Sequence, residues 1–518
     1  MINKVREVIK SNNLDAILIN STNEYLVEYN LLSENARYKL TGFTGSTGDA
    51  VVTKEGIFLF VDGRYHIQAD EEVDSSIVTV VKLQTGDTFL SKLKDILPEG
   101  SILGMHASKN SQSRVENTEK YYKVELLDFD GIEVSPPPSD ENSEKISIML
   151  CGKSSENKIL EIKRLLGDDD CLLISNPEEV SYLFNIRDFS RPYSAKVFKR
   201  AIILKNDNFL FGYKDFDNYK KVLSYVKGKI YADKLTINAR DFSIIKDRAE
   251  CFSMNPISEM KAIKTESELE HYKDAFRKTD LAIKAIRKYI EDNDNISEYD
   301  IAQKLEEEFK KFGAKSLSFN SIVAKDKNSA LAHYSKSSKD EIISDGSLIL
   351  IDCGAYYEGG LATDITRAFV KGEPNSLQKR VYTSVLKAFL NAFNTKIVKG
   401  ISGFDIDSKV RKIFEKNPIE GFVFNHGLGH GIGINVHEIP PNLSCNEVAK
   451  TELKNNMCFT IEPGLYNKDH FGVRLENSCY IKDNKIHSFV NMNYERKLID
   501  YNELSEQEII WLNEFEVL

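Results

Sequence analysis

Four carboxylates and a set of histidines in the second half of the chain have the residue types and surroundings of a metal site. Each carboxylate lies in or beside an apolar, strand-like segment: Asp352 in SLILID, Asp364 in LATDITRAFV, Glu462 in FTIEPGLY and Glu476 in GVRLEN. The histidines lie next to glycine-rich or acidic segments and are His333, His426, His430 and His437. Burying a carboxylate costs free energy unless it is paired or bound to a metal. Four carboxylates with one imidazole would suit two divalent ions.

Oxygen-rich ligation of this kind favours manganese over ions that prefer thiolates. Carboxylates that bridge two ions would hold them about 3.5–4 Å apart, the separation that activates a shared hydroxide. Taken singly, these residues have ordinary explanations, because a lone aspartate at a strand end is usually exposed or caps a helix, and a lone strand glutamate usually faces water. The hypothesis of a metal site therefore depends on the whole set.

The motifs and their order resemble a known family. NHGLGHGIGINVHEIPP, IEPGLY and GVRLEN, with DCGAYYEGGLATDITR upstream, are similar to the signature of the pita-bread metallopeptidases, which include aminopeptidase P, prolidase and methionine aminopeptidase. The resemblance implies that five residues bind metal: Asp352, Asp364, His430, Glu462 and Glu476. It also implies that Asp364 and Glu476 bridge the two ions. Asp352 would bind one ion, and His430 with Glu462 the other.

One spacing departs from the family pattern. Asp352 and Asp364 are 12 residues apart, and members of the family usually have one residue fewer there. A shift of one residue inside a strand would turn a side chain to the other face of the sheet. We therefore expect the turn at Gly359-Gly360 to absorb the extra residue, since glycine tolerates backbone conformations that other residues avoid.

Other roles come from the same resemblance. Three histidines would face the substrate: His333, His426 and His437. His437 would hydrogen-bond the peptide near the scissile bond, and His426 would shape the pocket for proline. Glu462 would also pass a proton to the leaving nitrogen, while Tyr466 and Arg474 would line the substrate or order the ligands from behind. The implied reaction is attack on the peptide carbonyl by a hydroxide that bridges two divalent ions, most simply Mn²⁺.

The elements that must position these residues follow an α/β (α+β) pattern in three predicted domains. Prolines in Ser135 to Ser139, followed by the polar stretch Asp140 to Lys145, mark a linker because consecutive prolines disrupt helices and inner strands. The predicted domains are 1–134, 144–256 and 260–518. In the last domain, Ser267 to Ile290 has the pattern of a long amphipathic helix, and Ser347 to Cys353 that of a buried strand.

The first two predicted domains have similar patterns. The first contains a helix over Met1 to Asn12, a strand over Asp15 to Ile19 and a hairpin over Ala50 to Asp62. The second contains a helix over Lys158 to Leu166, a strand over Cys171 to Ile174 and a hairpin over Ala201 to Tyr213. The pairs Tyr25-Leu26 and Tyr182-Leu183 follow their strands at similar offsets. Duplication of one domain is the expectation.

The subclass follows from resemblance over almost the whole chain. ARYKLTGFTGSTGDAVVT and FVDGRYHIQA are similar to the first domain of three-domain cytosolic aminopeptidases P, and the tail RKLIDYNELSEQEIIWLNEF to their C-terminal end. This implies two creatinase-like N-terminal domains, a C-terminal pita-bread domain, release of the residue before a penultimate proline, and a homodimer. Two alternatives are a prolidase, which cleaves Xaa-Pro dipeptides, and a pita-bread interaction protein without catalytic activity.

Composition and charge limit the classes of partner and the cellular location that can be expected. The net charge is −10 and no basic stripe interrupts the chain, which argues against nucleic-acid binding. We identify neither a signal peptide nor an apolar run of about 20 residues, so a cytosolic location without a membrane is expected. The seven cysteines are odd in number and scattered, without a C-x-x-C pair, so reduced thiols are expected.

Overall fold

The computed structural model describes residues 1–84, 86–137, 142–252, 255–492, 494–515 and 517. The chain divides into two compact units: Met1–Ser143 with Ser155–Ile186 and Val197–Ile257, and Glu144–Ser154 with Arg187–Lys196 and Ser258–Leu518. Both predicted N-terminal domains fall largely in the first unit, and their boundaries at 134, 144, 256 and 260 stay predictions. Pro138 to Glu141, within the predicted linker, lie outside the described residues. Among the helices of the described ranges, none has the length and apolarity to cross a bilayer.

Two sheets organise the first unit. The strands of the first sheet are β1 (Ala16–Ile19), β2 (Asp49–Thr53), β3 (Ile57–Val61), β4 (Val78–Lys82), β5 (Ile102–His106) and β6 (Lys123–Leu127), in the order β4-β3-β2-β1-β5-β6. The strands of the second are β7 (Cys171–Ile174), β8 (Arg200–Leu204), β9 (Asn208–Phe211), β10 (Ile230–Tyr231) and β11 (Ala249–Glu250), in the order β9-β8-β7-β10-β11. The central strands β1 and β7 are buried along their whole length, as apolar runs in mixed sheets usually are.

Apart from β4, an additional edge strand of the first sheet, the two sheets have the same connectivity. In each, the first strand pairs antiparallel with a hairpin and parallel with a later strand, which pairs parallel with the next one. This supports the expected duplication. The repeat of Tyr-Leu pairs is wrong as a structural match, because Tyr182 and Leu183 lie in helix Pro177–Phe184 whereas Tyr25 and Leu26 lie outside helices and strands.

The following helices lie wholly or partly in the first unit. They are Ile2–Ser11, Ala36–Thr41, His66–Glu72, Phe89–Leu93, Gln112–Glu119, Ser155–Leu165, Pro177–Phe184, Phe216–Tyr225, Ala239–Ile245 and Pro256–Ala262. The first begins one residue later than predicted and ends one residue earlier, because Met1 and Asn12 are its caps.

The second unit contains the predicted catalytic half. Three antiparallel strands form one sheet, β12 (Ile322–Lys325), β13 (Leu348–Cys353) and β14 (Ile365–Val370), in chain order. A second sheet has the order β16-β15-β17-β20-β21, and β18 pairs with β19; these strands are β15 (Gly429–Gly431), β16 (Glu438–Leu443), β17 (Cys458–Ile461), β18 (Gly464–Tyr466), β19 (Gly472–Arg474), β20 (Asn477–Lys482) and β21 (Lys485–Ser488). Ser316–Leu317 pairs with Ala355–Tyr356, and short strands also occur at Glu144–Lys145 and Ile186–Arg187.

Helices of the second unit cover these sheets. They are Ile148–Cys151, Glu266–Asp292, Glu298–Lys311, Ser376–Phe393, Gly403–Lys416 and Glu506–Leu512. The predicted long helix is confirmed and extends to Glu266–Asp292, because Thr265 and Glu268 form a reciprocal cap at its start. The main core of the unit lies between helix Ser376–Phe393 and the strands around β17 and β20, and it includes Phe389, Phe459 and Ile481.

Acid should destabilise the second unit through His271, a buried residue of the long helix. Burial and the Arg187 guanidinium lower the pKa of His271 to about 4, whereas an unfolded histidine has a pKa of about 6.5. The unfolded chain therefore takes up a proton first, and the stability contributed by neutral His271 is lost as the pH falls from about 6.5 towards 4. At about 1.4 kcal/mol per pKa unit, the loss is up to about 3 kcal/mol.

The measurement is the melting temperature at pH 7 and at pH 5 for the wild type and for His271→Leu. We expect a smaller decrease between the two pH values in the variant. His470→Leu is the matched control because His470 is exposed, and its decrease should equal that of the wild type. An equal decrease in His271→Leu would contradict the assignment.

Candidate metal centre

The three-stranded sheet brings the two aspartates together. Asp352 lies near the end of β13 and pairs with Thr366 of β14, while Asp364 immediately precedes β14. The connecting turn contains Gly359 and Gly360, which have positive φ angles of 94° and 66°. A Cβ at Gly359 would lie 2.8 Å from the His271 ring, and one at Gly360 would lie 2.7 Å from the Arg187 side chain. Side chains other than glycine would be strained at both turn positions, and the absorption of the extra residue by this turn stays a prediction.

The second sheet supplies the other three predicted ligands. His430 is the middle residue of β15, Glu462 directly follows β17, and Glu476 directly precedes β20. The Glu476 backbone N–H donates to the Thr366 carbonyl at 3.1 Å, which ties this sheet to β14. His430, Glu462 and Glu476 therefore come from the second sheet to the end of β13, where Asp352 lies.

The distances define a compact cluster. Ligand atoms of Asp364, His430 and Glu476 all lie within 4.8 Å of one another. His430 Nε2 lies 3.5 Å from Asp364 Oδ2 and 3.6 Å from Glu462 Oε1. Asp352 adjoins the cluster through Arg474, whose Nη2 donates to Asp352 Oδ2 at 2.6 Å.

The carboxylates in this cluster repel one another when they are ionised. Burial, followed by the negative charges of neighbouring carboxylates, raises the pKa of Asp364 and of Glu476 well above their ordinary values. Burial also raises the pKa of Asp352, although Arg474 opposes this effect. Such an arrangement stores unfavourable electrostatic energy that a cation would relieve.

The hydrogen bonds of the cluster also indicate that it suits a cation. His430 Nδ1 lies 3.1 Å from the Gly431 carbonyl, so Nδ1 carries the proton in the neutral ring and Nε2 presents a lone pair. That lone pair faces two carboxylate oxygens, which are also acceptors. Within the described residues, Asp352 Oδ1 and Glu476 Oε1 are buried and accept no hydrogen bond. Buried carboxylate oxygens such as Asp352 Oδ1 and Glu476 Oε1 fit coordination of divalent cations.

Arg474 and Tyr466 belong to a hydrogen-bond network that adjoins the cluster. Arg474 donates to Thr366 Oγ1 at 3.0 Å and to the Tyr466 hydroxyl at 2.8 Å, in addition to its bond with Asp352. Thr366 Oγ1 in turn donates to Glu476 Oε2 at 2.8 Å. This network fixes two carboxylates at once, since each group in it has one defined direction of donation.

The other three predicted histidines lie around the cluster, each beside a different neighbour. His426 Nε2 lies 2.8 Å from the Tyr466 hydroxyl, and its ring packs edge-on against Phe424 at 5.0 Å between centroids. The His437 ring lies 4.5 Å from that of His430. His333 is half-buried and follows Ala332, whose carbonyl accepts from Arg474 Nη1 at 3.2 Å.

Thr366 is a residue of the site that sequence reasoning missed. It lies two residues after Asp364 and opposite Asp352 in the sheet. Because alternate residues of a strand face the same side, the string TDITR contains the signal that places Thr366 beside the carboxylates.

Comparison with known proteins identifies two regions of the chain. Residues 270–483 match the model of metallopeptidase family M24, and residues 1–134 match that of the creatinase/prolidase N-terminal domain. The first region contains all five predicted ligands and all the residues of the Arg474 network. Residues 1–134 contain all six strands of the first sheet of the first unit.

Relatives match the chain along almost its full length. An uncharacterised peptidase of Schizosaccharomyces pombe is 28% identical and aligns over 99% of this chain and 94% of its own. A probable Xaa-Pro aminopeptidase P of Paracoccidioides brasiliensis is 27% identical over 99% of this chain and 94% of its own. Among solved structures, the X-prolyl aminopeptidase of Caenorhabditis elegans, described as a cytosolic enzyme with a dinuclear active site, has a TM-score of 0.88, 23% identity, and coverage of 99% and 94%.

The fold is therefore that of two creatinase-like α/β domains followed by a pita-bread domain, as the sequence predicted. The full-length match favours a three-domain enzyme over a prolidase. Residues 270–483 thus form a region similar to metallopeptidase family M24, and residues 1–134 a region similar to the creatinase/prolidase N-terminal domain.

Proposed function

We propose that this chain is an Xaa-Pro aminopeptidase, a hydrolase that releases the N-terminal residue from peptides with proline in the second position. The observation that carries the proposal is the compact cluster of Asp364, His430 and Glu476, whose nitrogen and oxygen atoms lie within 4.8 Å of one another, with Glu462 3.6 Å from His430 Nε2. The relatives named Xaa-Pro aminopeptidase P support the substrate class.

The residues that would hold the metal are the five predicted ligands. We propose that Asp364 and Glu476 contact both of two divalent ions, that Asp352 binds one, and that His430 and Glu462 bind the other. When bound, such ions lower the pKa of a shared water and polarise the carbonyl before proline. Manganese is the proposed metal because the donor set is rich in oxygen.

Glu462 is the proposed proton carrier. Its side chain is 18% exposed, compared with 12% for Asp352 and 7% for Asp364. Of these three carboxylates it is therefore the one most accessible to a substrate. A proton taken from water could pass through Glu462 to the proline nitrogen as the peptide bond breaks.

The histidines are proposed to orient the peptide. His437, beside the ligand His430, would donate to the carbonyl oxygen as negative charge develops there. His426 forms part of an aromatic wall with Phe424 and Tyr466, at centroid distances of 5.0 and 5.4 Å. A wall of this kind suits the flat, apolar ring of proline. His333 is proposed to contact the substrate from the loop after β12.

Peptide specificity tests the proposal. Purified enzyme supplied with Mn²⁺ should release arginine from Arg-Pro-Pro, and kcat/KM for the dipeptide Arg-Pro should be at least about tenfold lower, because a tripeptide gains contacts that a dipeptide lacks. Arg-Ala-Ala is the control for the requirement for proline and should be cleaved poorly. Faster hydrolysis of Arg-Pro would favour a prolidase, and no hydrolysis of any peptide would favour the non-catalytic alternative.

A homodimer and a cytosolic location are also part of the proposal. The cytosolic location is proposed because the C. elegans protein is described as cytosolic. Analytical ultracentrifugation of the purified chain would decide its assembly state.

A further inference from the structure

The loop after β12, residues 326–337, carries His333, and a single buried carboxylate binds residues at both of its ends. Glu298, the first residue of helix Glu298–Lys311, is 0% exposed. Its Oε1 accepts the Lys325 backbone N–H at 2.6 Å and Asn328 Nδ2 at 2.9 Å. Its Oε2 accepts the Tyr334 hydroxyl at 2.7 Å and the Ser338 backbone N–H at 2.9 Å. One side chain therefore joins the start of the loop to its end.

An ordinary role at the helix terminus does not account for Glu298. Acidic residues are common in the first turn of a helix because they cap backbone N–H groups and oppose the helix dipole. Here the capping is done by Ser297 and Asp300, which form a reciprocal pair. All four hydrogen bonds that Glu298 accepts come from the loop or from its two flanking residues, and none comes from the helix.

The energetics also favour a role in specifying the loop. In the described part of the chain, Glu298 forms no ion pair with a lysine or arginine, so its buried charge is balanced by neutral donors alone. A carboxylate with four donors is well satisfied, but burying it offers little net stability compared with an apolar side chain. What the four bonds provide is one defined path for the loop.

The opposite side of the loop is fixed to the metal centre. Ser329 Oγ donates to the Gly472 carbonyl and accepts the Gly472 N–H, both at 2.9 Å. The Ala332 carbonyl accepts from Arg474, which also binds Asp352. His333 thus lies between Ala332, bound to the metal-centre network, and Tyr334, bound to Glu298.

We propose that Glu298 is a positioning residue that sets the place of His333 relative to the metal centre, and that it acts through Tyr334. The catalytic part of this inference rests on the proposed function, since it requires that His333 contact the peptide. The structural part requires only that Glu298 hold the loop.

The structural part is tested by amide hydrogen exchange on the intact protein, which does not depend on activity. In Glu298→Gln one oxygen acceptor becomes a donor that faces donors, so exchange across 326–338 should become faster while exchange in helix Ser376–Phe393 stays as in the wild type. Glu341→Gln is the matched control, because Glu341 pairs with the same Lys325 through its side chain and leaves the loop backbone alone. Unchanged exchange across 326–338 in Glu298→Gln would overturn the proposal.

The catalytic part is tested by a double-mutant cycle with Tyr334→Phe, which removes one hydrogen bond and retains the packing of the ring. Tyr334→Phe should lower kcat/KM for Arg-Pro-Pro about tenfold, or about 1.4 kcal/mol in transition-state free energy, because the loop segment that carries His333 loses one of the bonds that hold it. In a His333→Ala background, the same change should have little further effect, because its target is already absent. Equal losses in both backgrounds, or no loss in either, would overturn the role through His333. An inactive wild type would instead refute the proposed function, and the exchange experiment would still decide whether Glu298 holds the loop.

Discussion

Replacing Asp364 with asparagine should abolish peptide hydrolysis and, in metal-free protein, should raise the melting temperature. Asp364 is buried among carboxylates that raise its pKa well above the ordinary value. The isosteric amide removes one negative charge and so relieves repulsion that the metal-free fold contains. The same change removes a proposed bridging ligand, and losses of roughly 10³-fold or more in kcat are usual when a central catalytic group is lost.

The pH dependence of this effect has a defined sign. A carboxyl whose pKa is raised in the folded state holds its proton where the unfolded chain has lost it, so acid favours folding in the window above the unfolded value. Metal-free wild type should therefore gain stability relative to Asp364→Asn as the pH is lowered from 7. The difference in melting temperature between the two proteins should become smaller.

Kinetics with Arg-Pro-Pro measure the loss of hydrolysis. Thermal melting after chelation measures the stability of the metal-free protein. Asp292→Asn is the matched control, since Asp292 is exposed and its carboxylate pairs with Lys288 on the same helix. It should behave as the wild type in both experiments. Near-normal turnover by Asp364→Asn would remove Asp364 from the catalytic site, and a marked decrease in its metal-free melting temperature would show that the carboxylate stabilises the fold.

Removing metal should eliminate activity and destabilise the folded state, and Mn²⁺ should reverse both effects. A ligand that binds the folded state alone stabilises it by RT ln(1 + [L]/Kd), or about 2.7 kcal/mol at 100 times Kd. The melting temperature of the wild type should therefore rise with the concentration of Mn²⁺. The rise should be much smaller in Asp364→Asn, because a bridging ligand is missing there. Full activity in protein dialysed against a strong chelator would refute a metal-dependent reaction.

The sequence predicted the site best where its residues lie in short motifs. Asp352 lies within a six-residue strand, and Asp364, Glu462 and Glu476 each directly precede or follow a strand of four to six residues. A strand carries its flanking residues to one edge of a sheet, so the motif order was informative about the convergence. The hairpins and the long helix were predictable for a similar reason, since their periodicity is local.

The supporting network was less accessible to sequence reasoning. Arg474 and Asp352 are 122 positions apart, and Thr366 and Glu476 are 110 apart. Their contacts depend on how two sheets pack, which no local pattern encodes. Glu298 illustrates the same limit, because its position at a helix start predicts a capping role and its actual partners lie in a loop 27 to 40 residues away.

The central claim is that five side chains from two sheets hold a pair of divalent ions. The most direct test is to count the ions bound by purified protein after saturation with Mn²⁺ and removal of the excess, using elemental analysis against protein concentration. The account predicts two ions per chain for the wild type, and a lower count for Asp364→Asn. A wild-type protein that binds no ion, or that retains two ions when Asp364 is replaced, would contradict it.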